Sequence, residues 1–158
     1  MIQRIQTLFL IGVAAISIML FFFPFSEKVV PDPPSATEIK LVLKVDKIVM
    51  EKAGVVETVE ANYPLMVLNI LILIAALFII FQYKNRIAQI RLCMFTTLLT
   101  TVMLVVIFYF SERMGKADIK AHYLEGVYLV AVQVFLILAA RKFIRKDEMM
   151  VRAADRIR

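Results

Sequence analysis

The sequence predicts an all-α membrane protein: an antiparallel four-transmembrane-helix bundle with a small extracytoplasmic β-hairpin and a cytoplasmic amphipathic C-terminal helix. Three observations predict it. Four apolar runs of nearly equal length, residues 7–25, 64–82, 92–110 and 124–140, contain no Asp, Glu, Lys, Arg or His apart from Glu125 at an edge. Bases gather on one side of these runs and acids on the other. The long segment between the first two runs, residues 26–63, alternates apolar and polar side chains over much of its length. Residues 1–158 therefore read as a single membrane domain.

At ~1.5 Å rise per residue each run covers about 26 to 29 Å as a helix, close to the ~30 Å hydrocarbon core, where a helix satisfies its own backbone hydrogen bonds. A water-exposed helical core fails on quantity. With 61% hydrophobic residues, too little polar surface is left to cover it. The first run follows Arg4 and leaves through Phe21, Phe22, Phe23, Pro24 and Phe25. These are bulky residues where a signal-peptide cleavage site needs small ones, so the run is expected to be a retained helix. Tyr63, Tyr83, Tyr109 and Tyr123 fall near the other predicted interfaces, as anchoring aromatics do.

The outer loop, residues 26–63, is too long for a mere connector and too short for an independent domain. After the extended Pro31-Asp32-Pro33-Pro34, the residues Ile39, Leu41, Leu43 and Val45 alternate with Glu38, Lys40, Val42, Lys44 and Asp46. Lys52-Ala53-Gly54 supplies a turn, after which Val55, Glu57, Val59 and Ala61 alternate with Val56, Thr58 and Glu60. Period two means strand, and two strands about a turn mean a β-hairpin or a small sheet. A lone hairpin is marginal in water, so its apolar face is expected to rest on the membrane surface, on the outer helix ends or on another protein. An exposed edge that recruits a partner strand is the alternative.

Loop charge sets orientation. One side of the four runs holds Arg4, Lys84, Arg86, Arg91, Arg141, Lys142, Arg145, Lys146, Arg152, Arg156 and Arg158 against Asp147, Glu148 and Asp155, a net of +8. The other side holds eight lysines and arginines against ten acids, a net of −2, and the two recover the chain's +6. The reading is a multi-pass membrane protein with both termini in the cytoplasm. Bases that hug membrane exits signal topology, so no nucleic-acid partner is expected.

Transport coupling, intramembrane proteolysis and metal catalysis need ionisable or nucleophilic groups at depth. The runs offer almost none. Asn69 and Gln133 are candidate interhelical polar contacts, as are Thr97 and Thr101, which with Thr96 and Thr100 form a narrow hydroxyl stripe. Threonine can also bond its own preceding carbonyl, so the stripe requires no channel. Cys93 is the sole cysteine, and the sole histidine, His122, falls on the opposite face, which leaves no Cys/His dyad. No catalytic, cofactor-binding or metal-ligating set is expected.

The tail can continue the fourth helix with Phe143, Met150, Ala154 and Ile157 on one face and Arg145, Lys146 and Arg152 elsewhere. Glu148 precedes Arg152 by four residues, the favourable order for an exposed helical pair. The inner text reads Tyr83-Lys84-Asn85-Arg86-Ile87-Ala88-Gln89-Ile90-Arg91-Leu92-Cys93, and the end reads Arg145-Lys146-Asp147-Glu148-Met149-Met150-Val151-Arg152-Ala153-Ala154-Asp155-Arg156-Ile157-Arg158. With the opening Met1-Ile2-Gln3-Arg4-Ile5-Gln6, these segments resemble an uncharacterised family of small four-helix inner-membrane proteins of Bacteroidota. The resemblance covers the chain apart from the outer loop, and it implies fold and location with no activity attached.

The functional expectation is a non-enzymatic inner-membrane accessory or scaffold protein. Its candidate contacts to membrane lipids or to a protein partner are Arg4, Lys84, Arg86, Arg91, Arg145, Lys146, Asp147, Glu148, Arg152, Asp155, Arg156 and Arg158. Asp147, Glu148 and Asp155 are unnecessary for lipid anchoring and hint at directed protein contacts. The rival is a small transporter or lipid-handling protein built around Asn69, Gln133 and the threonine stripe.

Overall fold

The computed structural model describes residues 3–31, 38–52, 55–83, 85–114 and 119–155. The order is α1 (Gln3–Met19), β1 (Ser26–Pro31), β2 (Glu38–Leu43), β3 (Lys47–Lys52), β4 (Val55–Ala61), α2 (Tyr63–Phe81), α3 (Arg86–Arg113), β5 (His122–Tyr123) and α4 (Glu125–Asp155). This overturns the all-α expectation. The described residues form four helices and a five-stranded antiparallel sheet, ordered β4-β3-β2-β1-β5, in place of a transmembrane bundle with a hairpin. Three helices are long and apolar enough to cross a membrane, Tyr63–Phe81, Arg86–Arg113 and Glu125–Ala153, whereas α1 at 17 residues falls short of them.

The first apolar run does not stay helical because Pro24 lacks an N–H and disfavours helical geometry at Phe23. The chain leaves the helix at Met19 through tight turns, with the Phe21 amide donating to the Ile18 carbonyl at 3.2 Å and the Phe22 amide to Met19 at 2.9 Å. Leu20 and Phe25 are buried on either side of the turn. Pro64 sits in the first turn of α2, where its missing N–H costs nothing. Asn85 caps α3 by accepting from the Ala88 amide at 3.2 Å. The fourth run continues into the tail as one unbroken 31-residue helix ending at Asp155.

The helices pack in the cyclic order α1, α2, α3, α4, with α4 returning to α1. Leu10, Val13, Leu65, Ile72, Ile79, Met103, Ile107, Val130, Ile137 and Ile144 fill the space between them. Their outward faces are apolar as well: Leu71, Ile74, Phe78, Leu98, Val105 and Phe135 are all exposed. A helix that is apolar all round suits lipid, not water.

The sheet lies across one end of the helices. Ser26 pairs with Leu43 and Lys28 with Leu41, and on the next strand Leu43 faces Ile48, so these side chains share the face turned to the helices. A bulge between Ile48 and Val49 on the β3/β4 ladder accompanies the burial of both residues. The hairpin expectation missed β3 for this reason, because its apolar residues are adjacent and do not alternate. It missed β1 because Ser26–Pro31 followed an apolar run and preceded prolines. Of the predicted turn, Ala53 and Gly54 lie outside the described residues.

Short contacts join sheet to helices. The Gly126 amide donates to the Pro24 carbonyl at 3.0 Å and the Leu124 amide to Phe25 at 2.9 Å, which satisfies free N–H groups at the start of α4. A Cβ on Gly126 would lie 2.6 Å from the Pro24 carbonyl oxygen and 2.8 Å from the Phe25 ring, whereas one on Gly12 would meet only the tip of Leu136 at 3.2 Å. Gly126→Ala is therefore expected to destabilise the folded protein by about 1 to 3 kcal/mol, with Gly12→Ala closer to neutral. Thermal unfolding in mild detergent checks the difference; equal midpoints for the two variants would refute the close approach at Gly126.

Candidate functional site

Three polar regions stand out: the interior between the helices, the junction with the sheet, and the basic end opposite the sheet. In the interior, Asn69 of α2 donates to the Ser17 carbonyl of α1 at 2.9 Å. Gln133 of α4 donates from the same Nε2 to the Val13 carbonyl at 3.1 Å and to the Ser17 hydroxyl at 2.7 Å. Both residues are fully buried, and the amide oxygens of both have no hydrogen-bond partner among the described residues. Asn69 and Gln133 thus meet at one turn of α1. The threonines do not join them: Thr97 and Thr101 donate to the carbonyls of Cys93 and Thr97 on their own helix, at 2.8 and 2.9 Å. Thr96 and Thr100 do the same.

At the junction, Lys28 is buried to 1% exposure and its ammonium donates to the Glu112 carbonyl at 2.8 Å, one of the last carbonyls of α3. A cation at a helix C-terminus satisfies an orphan acceptor and suits the dipole. The Ser26 and Ser111 hydroxyls share a buried hydrogen bond of 2.7 Å beside it. Tyr123 donates to the Glu112 carboxylate at 3.2 Å, and burial with this bond holds its phenol above the usual value. The Glu27 carboxylate, 2.7 Å away, likewise holds Lys40 above the ordinary lysine range. Between Leu41, Ile48, Val59 and Glu60 of the sheet and Phe110, Arg113 and Met114 at the end of α3 lies a pocket of about 430 Å³. The outermost strand, β4, is exposed along its whole length.

At the basic end, Gln89 donates to the Ile79 carbonyl at 2.9 Å and closes the end of α2. Gln6 and Thr7 of α1 share a small recess there with Ile80, Tyr83, Arg86 and Gln89, so α1 begins where α2 ends. Arg86 reaches Asp147 of α4 at 3.2 Å, and Arg152 pairs with Glu148 at 2.8 Å. Two grooves flank the last turns of α4. One, of about 360 Å³, lies against α3 and is lined by Ile87, Ile90, Arg91, Arg145, Glu148, Met149 and Arg152. The other, about 520 Å³, is formed by Leu138, Arg141, Lys142, Arg145, Lys146 and Met149.

The structure therefore brings Arg86, Arg91, Arg145, Lys146, Asp147, Glu148 and Arg152 together around the end of α4. Lys84, Arg156 and Arg158 lie outside the described residues, as do the side chains of Arg4 and Asp155. Sequence reasoning counted Arg141 and Lys142 only as topology charges, although their spacing with Arg145 and Lys146 already placed them on one helical face. Nothing in the sequence marked Lys28 as buried.

Residues 2–157 match the family described as Domain of unknown function (DUF4293). The chain belongs to this family. The DUF4293 match takes in the outer loop too, which the segments carrying the sequence resemblance leave out. Comparison with curated proteins finds no match.

The interior contacts make unequal demands on Asn69 and Gln133. The Leu20 amide goes to Ile16 and the Phe21 amide to Ile18, so Asn69 is the Ser17 carbonyl's donor, whereas the Val13 carbonyl also receives the Ser17 hydroxyl at 3.2 Å. Asn69→Leu is expected to cost about 1 to 2 kcal/mol and Gln133→Leu less, with the double variant costing less than their sum. Unfolding midpoints of the three variants in detergent decide this; strict additivity would show that the two amides act independently.

Proposed function

We propose that this DUF4293 protein is a non-enzymatic accessory or scaffold protein of a bacterial inner membrane, with its basic end and both chain termini at the cytoplasmic face and its sheet on the other side. The carrying observation is the division of polar groups. Asn69 and Gln133 tie neighbouring helices together through backbone carbonyls, while side chains able to meet something else collect at the two ends. The orientation rests on bases concentrated where α4 ends and α1 begins. The groove between α3 and α4 presents Arg91 and Arg145 with Glu148 and Arg152, a mixed-charge surface over Ile87, Ile90 and Met149, and this suits a protein partner better than lipid alone.

A second reading, lipid handling, draws on the pocket between sheet and α3. Its apolar walls with Arg113 and Glu60 suit one amphipathic molecule at the outer surface.

The orientation is tested by single-cysteine labelling in a Cys93→Ser background. Glu57→Cys on β4 is expected to react with a membrane-impermeant maleimide in intact cells, and Met150→Cys only after permeabilisation. Labelling of both from outside would overturn the reading. Arg91→Gln with Arg152→Gln is expected to detach a co-purifying protein in gentle detergent without changing membrane insertion. An unchanged set of co-purified proteins would remove the scaffold reading's main support and favour lipid handling, for which Val59→Trp should abolish lipid transfer.

A further inference from the structure

We propose that the outer groove on α4, formed by Arg141, Lys142, Arg145 and Lys146 with Leu138 and Met149, binds one anionic phospholipid of the adjacent leaflet through its phosphate. The inference rests on the basic end lying at a membrane surface. Charge is the first argument. The two nearby acids are engaged elsewhere, Asp147 with Arg86 and Glu148 with Arg152, and no described acid pairs with the four bases of the groove. Four cations within two helical turns repel one another, and an anion relieves that repulsion. Arg141 with Arg145 and Lys142 with Lys146 stand one turn apart, about 6 Å along the axis. A phosphate lying across such a pair can accept from both, with the guanidinium forks giving two parallel bonds each.

Depth is the second argument. With Glu125 at the other interface, residues 141–146 stand about 24 to 32 Å along α4 at ~1.5 Å per residue, the level at which a ~30 Å hydrocarbon core gives way to headgroup phosphates. The third argument is the change of chemistry along one face. Leu138 is 41% exposed at the inner end of the groove, and Phe135, 71% exposed, lies one turn deeper. An occupant must therefore be anionic at one end and apolar at the other. A free phosphate would leave the apolar side unused, and a zwitterionic headgroup would bring a cation back among cations.

The test uses the purified full-length protein in mild detergent, with bound lipid counted by native mass spectrometry and affinity taken from titration. Phosphatidylglycerol is expected to bind about tenfold or more tightly than phosphatidylethanolamine or glycerol phosphate, and Arg141→Gln with Arg145→Gln to weaken it by about tenfold or more. The exposed pair Lys142→Gln with Lys146→Gln should act in the same direction. Lys44→Gln with Lys47→Gln, which removes equal charge at the sheet, should leave binding unchanged. Equal binding of both phospholipids, glycerol phosphate binding as tightly as phosphatidylglycerol, or equal losses in groove and sheet variants would each overturn the site. If the site fails while Glu57 and Met150 still label from opposite sides, the orientation stands; if they label from one side, the orientation fails first.

Discussion

A helix that stops inside an apolar environment leaves carbonyls which nothing in the surroundings can satisfy, and α1 is such a helix. Its end at Met19 strips the Ser17 carbonyl of a backbone amide, and Asn69 supplies the missing N–H from α2. Gln133 reaches the same turn from α4. The three helices are held in register by the fault in one of them. The amide oxygens of Asn69 and Gln133 have no partner among the described residues, a penalty of about 1 to 3 kcal/mol for each that offsets part of what their donated bonds contribute.

The same early end sends the chain into the sheet while still close to the other helices. β1 then runs past the tip of α3 and the start of α4, where Lys28 and the Pro24 carbonyl each find a polar group that a helix terminus had left open and Ser26 meets the Ser111 hydroxyl. The sheet is thereby a cap on the helices rather than an appendage. An edge strand as exposed as β4 invites pairing with other chains. Its Glu57 and Glu60 oppose that, as charges on natural sheet edges do.

The spans of α2, α3 and α4 were legible in the sequence because uncharged runs of helical length have few alternatives. The partner residues of Asn69 and Gln133 were not legible, since any carbonyl nearby in space would serve and spacing along one chain says nothing about it. The end of α1 was misread for a related reason: hydrophobicity does not distinguish helix from turn, and among Phe21, Phe22, Phe23 and Phe25 only the intervening Pro24 carried a backbone signal. The sheet was half legible. Alternation exposed β2 and β4, whereas β3 hides its strand character behind adjacent buried residues at a bulge, and β5 is two residues long with too little pattern to read.

Charge completes the asymmetry that the backbone begins. At the sheet end, bases and acids are interleaved, as Lys40 with Glu27 and Lys47 with Asp46 show, so that surface presents little unopposed field. At the other end the two described acids are engaged by Arg86 and Arg152, and positive charge accumulates on one flank of α4. Arg86 holds Asp147 toward α3 and so ties the last turns of α4 to that helix, while Arg152 engages Glu148, the acid beside Arg145. A helix that holds bases unpaired with any described acid is pre-organised for an anion, because little ordering of the backbone is left to oppose binding. The position of the basic groove is thus a consequence of the contacts that close the helical body.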